Sequence, residues 1–94
     1  MTDAPLTIGA FQQHIRDRYY QTDHVRGTPA TFLWFMEEVG ELATALHGDA
    51  PEQLAEEFAD VLAWLCTLAN INDVNLTDAI RKKYLTIGGP EGHK

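Results

Sequence analysis

Two helix-periodic segments joined by about three residues constrain this chain more than any other feature. The first runs from roughly Pro29 to His47, with Phe32, Phe35, Val39, Leu42 and Leu46 recurring at helical spacing and Met36 and Ala43 beside them. The second continues to about Ile71 on Leu54, Phe58, Val61, Leu65 and Leu68, flanked by Leu62 and Ala69. Gly48 ends the first segment. Asp49, followed three residues later by Glu52, reads as an aspartate form of the capping box. Pro51 falls in the first turn, where its missing N–H costs little. So short a connection forces the two helices to pack as antiparallel neighbours.

Outside the hairpin, a first helix is expected from Thr7, its N-cap, to Tyr20, with Ile8, Phe11, Ile15 and Tyr19 as its apolar stripe. Gln21 to Gly27 is polar and ends in glycine, so a loop is expected there, with Thr28 as N-cap and Pro29 as first residue of the next helix. A short last helix is expected from Leu76 to Tyr84. Residues 1–6 and 88–94 show no periodicity and are expected to be mobile tails. The chain thus reads as a single all-α domain over residues 1–94, with four helices and no strands.

Charge and composition narrow the function classes. The 94 residues carry a net charge of −7. Grasping a nucleic-acid polymer needs a basic footprint that is missing here. No segment is apolar for long enough to span a bilayer, and Met1 to Pro5 has neither the basic nor the apolar region of a secretory leader, so a cytoplasmic protein is expected. A single cysteine, Cys66, forbids an intrachain disulfide and is expected in the core. A 94-residue chain buries a modest share of its surface alone, which favours self-association. Gly40 is expected to let another helix approach closely.

Each hairpin segment carries an acid pair at i, i+3: Glu38 with Glu41, and Glu57 with Asp60. Such spacing puts both members of a pair on one helix face. The two pairs stand about ten and nine residues from the loop centre, so antiparallel packing brings four carboxylates to one height. Both pairs border the apolar stripes. Semi-buried like charges resist ionisation, and a divalent cation removes that penalty. An all-oxygen donor set favours Mg²⁺, with Mn²⁺ able to substitute. No Glu-x-x-His of the di-iron bundles is present. The competing reading of each pair is a solvated acidic face.

Trp34 stands one turn before Glu38, and Trp64 one turn after Asp60. The antiparallel register sends both to the same end of the acid box. An aromatic slot beside a metal suits a nucleobase whose phosphates lie at the cation, the alternative being two core or interface anchors. Arg81, Lys82 and Lys83 form the densest basic run, read either as a phosphate contact or as charges complementing a helix C-terminus. His14, His24, His47 and His93 lack ligand spacing and are expected at the surface. His24 and Arg26 precede the hairpin within reach of a substrate.

The stretch Phe35 to Asp60, in which EEVGE is followed after fifteen residues by EFAD, resembles the MazG-like all-α nucleoside triphosphate pyrophosphohydrolases. The continuation Asp60-Val-Leu-Ala-Trp-Leu resembles them too, and the likeness extends over Asp23 to Tyr84. It implies Mg²⁺-dependent hydrolysis of an NTP or dNTP between the α and β phosphates, with Glu38, Glu41, Glu57 and Asp60 as metal ligands. It further implies Trp64 near the nucleotide and Lys83 on phosphate, and it matches Glu37 to the first glutamate of the motif. The attacking water is then expected to be activated by a metal or by a spare carboxylate such as Glu37, with Glu38 also in the catalytic set. Homodimers or homotetramers, with four-helix cores built from two chains, are implied as well, and the first helix and the loop to Gly27 are then expected to close a partner's site. The sequence departs from relatives after Lys83-Tyr84, where Leu-Thr-Ile-Gly-Gly replaces the cysteine-rich tail of some small members. Against an enzyme stand two other readings: a non-catalytic helical interaction module with a structural metal site, and a cation buffer.

Overall fold

The computed structural model describes residues 4–86. The expectations for 1–3 and 88–94, His93 included, lie outside the described residues; Ala4, Pro5 and Leu6 are exposed and non-helical. Three helices and no strand make up the described residues: α1 (Ile8–Leu46), α2 (Pro51–Ile71) and α3 (Leu76–Tyr84).

Helix α1 starts where its cap dictates, with Thr7 extended and its hydroxyl accepting from the Ala10 N–H at 3.0 Å. The loop expected over Gln21 to Gly27 is instead helical as far as residue 26. Nothing in Gln21-Thr-Asp-His-Val-Arg forbids a helix, and Asp23 and Arg26 form an ion pair at the i, i+3 spacing that only a helix provides. Gly27 alone makes the break, at φ 81° and ψ 169°, a region open essentially to glycine. Two arms result, residues 8–26 and 28–46, with Pro29 in the first turn of the second. Thr28 is drawn to the end of α2, its Oγ1 accepting from Asn72 Nδ2 at 3.1 Å.

The hairpin has the antiparallel register expected of it. Along the second arm, Thr28 meets Asn72, Trp34 meets Trp64, and Glu38 and Glu41 meet Glu57. The capping box does not form. The N-cap of α2 is Ala50, with no side-chain hydrogen bond, and the helix opens on Pro51. Asp49 therefore lies one residue outside the cap position.

Gln12 ties the three helices together. Its Nε2 donates to Asn70 Oδ1 (3.0 Å) and to the Val74 carbonyl (2.7 Å), while its Oε1 accepts from the Leu76 N–H (2.9 Å). Asn75 caps α3 by accepting from the Asp78 N–H. Gly9 is closely approached, since an added Cβ would lie 3.1 Å from Thr77 Oγ1; at Gly40, expected in that role, an added Cβ would meet no other element of this chain within 4 Å.

The apolar core of one protomer is small. Ile15, Cys66 and Ala69 are its buried hydrophobic residues, as expected for Cys66, whose thiol burial pushes up in pKa. The stripes do not close within the chain: Phe32, Met36, Phe58, Leu62 and Leu65 stay 37–54% exposed, and Ile8 and Tyr19 are also exposed. The reason is geometric: each hairpin helix has an apolar arc wider than the one neighbour it meets. None of the helices is long and apolar enough to cross a membrane, among the described residues.

Gly27→Ala is expected to destabilise the protein by about 1–3 kcal/mol, because alanine is strained in that backbone region. Chemical denaturation monitored by far-ultraviolet circular dichroism measures the loss.

Candidate metal centre

The hairpin register delivers the carboxylates. Glu38, Glu41 and Glu57 each place one carboxylate oxygen within 4.8 Å of the other two. Glu41 is exposed, whereas Glu38 and Glu57 are partly buried, and each has an Oε2 that is buried and without a hydrogen-bond partner. Solvated acidic faces do not leave carboxylate oxygens buried and bare.

Electrostatics follow from this geometry. Burial, a hydrogen bond to Glu41 and the charges of Glu41, Asp60 and Glu57 push Glu38 up from 4.5 to about 7. Burial raises Glu57 as well, helped by the charges of Glu41, Asp60 and Glu56. Without a cation Glu38 is therefore partly protonated at neutral pH. The donor set is all oxygen, one oxygen from each of the three residues converges, and Glu38 and Glu57 each carry a buried oxygen without a partner. A hard divalent cation fits these residues.

Asp60, the fourth carboxylate of the sequence pattern, lies outside the group of three. It is exposed, its charge reaches both Glu38 and Glu57, and it lines an adjoining cavity. Glu37 is exposed and also outside the group. The tryptophans come to one end, as their register requires, and stack with ring centroids 6.3 Å apart and planes 17° from parallel. A ring held between them needs about 7 Å, twice a carbon–carbon contact distance. The pair therefore presents edges and an outer face to the site. Lys83 is exposed on the last turn of α3, with its Nζ 5.5 Å from the Tyr84 ring centroid, and forms no ion pair with the cluster among the described residues.

Sequence reasoning named Arg26 but missed Asp23 and Thr31, the buried residues it binds beside Trp64. Asp23 is 5% exposed and Thr31 wholly buried. Arg26 donates through Nη2 to Asp23 Oδ1 and through Nε to Thr31 Oγ1 at 3.2 Å, and its guanidinium lies 5.0 Å from the Trp64 ring centroid. The available signal was the i, i+3 spacing of Asp23 and Arg26. His24, also placed near a substrate, stacks instead on Tyr20 at 5.4 Å. His14, His24 and His47 are exposed, as expected.

The raised Glu38 sets a pH dependence. In the folded chain it keeps a proton that the unfolded chain has given up, so the cation-free protein loses stability as pH rises from about 4.5 towards 7. A bound cation displaces that proton and reverses the loss. The rise in Tm on adding a divalent cation is expected to be larger at pH 8 than at pH 5.5. Glu38→Gln is expected to raise the cation-free Tm at pH 8 and to abolish the cation's effect, both measurable by differential scanning calorimetry.

A family model described as the MazG nucleotide pyrophosphohydrolase domain matches residues 27–85, well over half of the chain and inclusive of both acid pairs. A comparison with curated proteins gives no match. With its helical hairpin, its converging glutamates and this match, the chain belongs to the MazG nucleotide pyrophosphohydrolase family.

Proposed function

We propose that the protein hydrolyses a nucleoside triphosphate, ribo or deoxy, to the monophosphate and pyrophosphate, with Mg²⁺ as cofactor and Mn²⁺ able to replace it. Family membership supports nucleotide pyrophosphohydrolysis in general. The observation that carries the reading to this site is the pair of buried, partnerless oxygens on Glu38 and Glu57, next to a cavity walled by Trp64.

In this reading Glu38, Glu41, Glu57 and Asp60 would hold the cation, which would neutralise and align phosphate oxygens when bound. Trp64 meets the nucleoside, with Trp34 stacked against it as support. Lys83 meets phosphate oxygens from α3. Water attacks the α phosphorus, the bond from that phosphorus to the α–β bridging oxygen breaks, and pyrophosphate leaves. Glu37, exposed and free of the glutamate group, accepts the water's proton and returns it to solvent. Glu38, a cation ligand in this reading, is the other carboxylate assigned to the catalytic set.

The exposed apolar faces of the hairpin support a homodimer or homotetramer with a four-helix core. Each Phe or Leu side chain is worth about 1.5–3 kcal/mol when fully buried, and several stand half exposed here. The partner is a small nucleotide rather than a nucleic-acid polymer or a membrane, and a cytoplasmic setting is part of the same reading.

Pyrophosphate release, read as phosphate after added pyrophosphatase on a panel of NTPs and dNTPs, tests the activity. Glu38→Ala and Asp60→Ala are each expected to lower kcat/KM by about a hundredfold or more. Glu37→Gln with unchanged turnover would exclude Glu37 as the base. A Tm that rises with Mg²⁺ in the absence of any turnover would favour a structural metal site in an interaction module, or a cation buffer. For assembly, light scattering after size exclusion is expected to give a dimer or tetramer, and Phe58→Glu to shift it to monomer.

A further inference from the structure

Beside the glutamates lies a cavity of about 400 Å³, between the first arm of α1 and the middle of α2. Tyr19, Thr22, Asp23 and Arg26 line it from the arm, and Asp60 and Trp64 from α2. Asp60 joins it to the carboxylate cluster, since its charge acts on both Glu38 and Glu57. The arm side lies outside residues 27–85, the segment the family model covers.

One group in this cavity is not explained by packing. Asp23 is more than nine-tenths buried. Arg26 satisfies its Oδ1, but Oδ2 is buried and has no hydrogen-bond partner. A buried acceptor without a donor calls for a ligand N–H or O–H. A carboxylate that holds a guanidinium offers acceptors only, so the missing partner is a donor. Arg26 is fixed by Asp23 and Thr31 and uses two of its five N–H groups in doing so, which leaves donors beside that acceptor.

We propose that Asp23 is a specificity-determining residue that accepts a hydrogen bond from the exocyclic amino group of the substrate's nucleobase, which occupies this cavity. The assignment deepens the hydrolase reading and rests on it. The amino groups of cytosine, adenine and guanine are donors at the base edge. Adjacent donors on Arg26 suit the ring nitrogen or carbonyl that neighbours such an amino group. Uracil and thymine have one ring N–H between two carbonyl oxygens, so a carboxylate approaching it meets both oxygens. Tyr19 and Trp64 supply the aromatic wall for the ring. A site built to bond a donor rejects the analogue that lacks it far more strongly than a merely apolar pocket does.

The test is kcat/KM on triphosphate pairs that differ in the amino group: CTP against UTP, and ATP and GTP against ITP. The preferred triphosphate is expected to carry the amino group and to outpace its counterpart by tenfold or more. Asp23→Asn keeps an oxygen for Arg26 and turns an acceptor into a donor, so it should shrink that ratio at least tenfold, mainly through KM, in a protein whose circular dichroism shows it folded even though loss of the buried charge lowers its Tm. Equal use of both members of every pair by the wild-type protein overturns the proposal without any variant. A ratio unaltered in a folded Asp23→Asn protein also overturns it. Silence on all triphosphates would sink the hydrolase reading instead. Calorimetric binding of CTP and UTP with Mg²⁺ then decides the base reading alone: preference for CTP, lost in Asp23→Asn, upholds it, and equal affinity overturns it.

Discussion

Repulsion among converging carboxylates is the constraint on which the site depends. Glu38, Glu41 and Glu57 come from two helices, and only the antiparallel register of a short hairpin holds them at one height. The apolar stripes that fasten the helices are what force like charges together. Packing opposes electrostatics here, and the buried bare oxygens of Glu38 and Glu57 show packing winning. A proton relieves the conflict in the cation-free chain, and a divalent cation relieves it more fully. The same contact that strains the fold thus prepares a binding site.

The division of apolar surface belongs to the same design. Few hydrophobic side chains are buried within one protomer, and those of the hairpin's outer arc stay half exposed. What organises the interior of the single chain is polar: Gln12 and Asn70 at one end, Asp23, Arg26 and Thr31 near the cavity. Such groups specify geometry because each must find its partner in place. Gln12 and Asn70 hold the first arm against α2, and Asp23, Arg26 and Thr31 tie the first arm to the second across Gly27.

Much of the hairpin was legible in the sequence, because periodicity, a short connection and i, i+3 spacing are all local signals. They gave the helix faces, the register of Glu38 and Glu41 against Glu57, and the meeting of Trp34 with Trp64. What they did not give came from tertiary choices. A polar run at Gln21 to Arg26 looks the same in a loop as in a helix whose polar side chains turn inward, and only the buried Asp23–Arg26 pair decides between them. The Asp49 capping box failed by one residue, since the helix began at Pro51 behind Ala50. The position of Asp60 at the flank, and the closed stacking of the tryptophans, depend on side-chain directions that spacing does not specify.

Gly27 has a wider consequence. One residue separates an arm that walls the cavity from a hairpin that gathers the glutamates. Residues 8–26 shape one wall of the recess without contributing to the glutamate group, while Asp60 and Trp64 of the hairpin shape the other. A lineage carrying this break is free to vary one wall while the glutamates stay gathered.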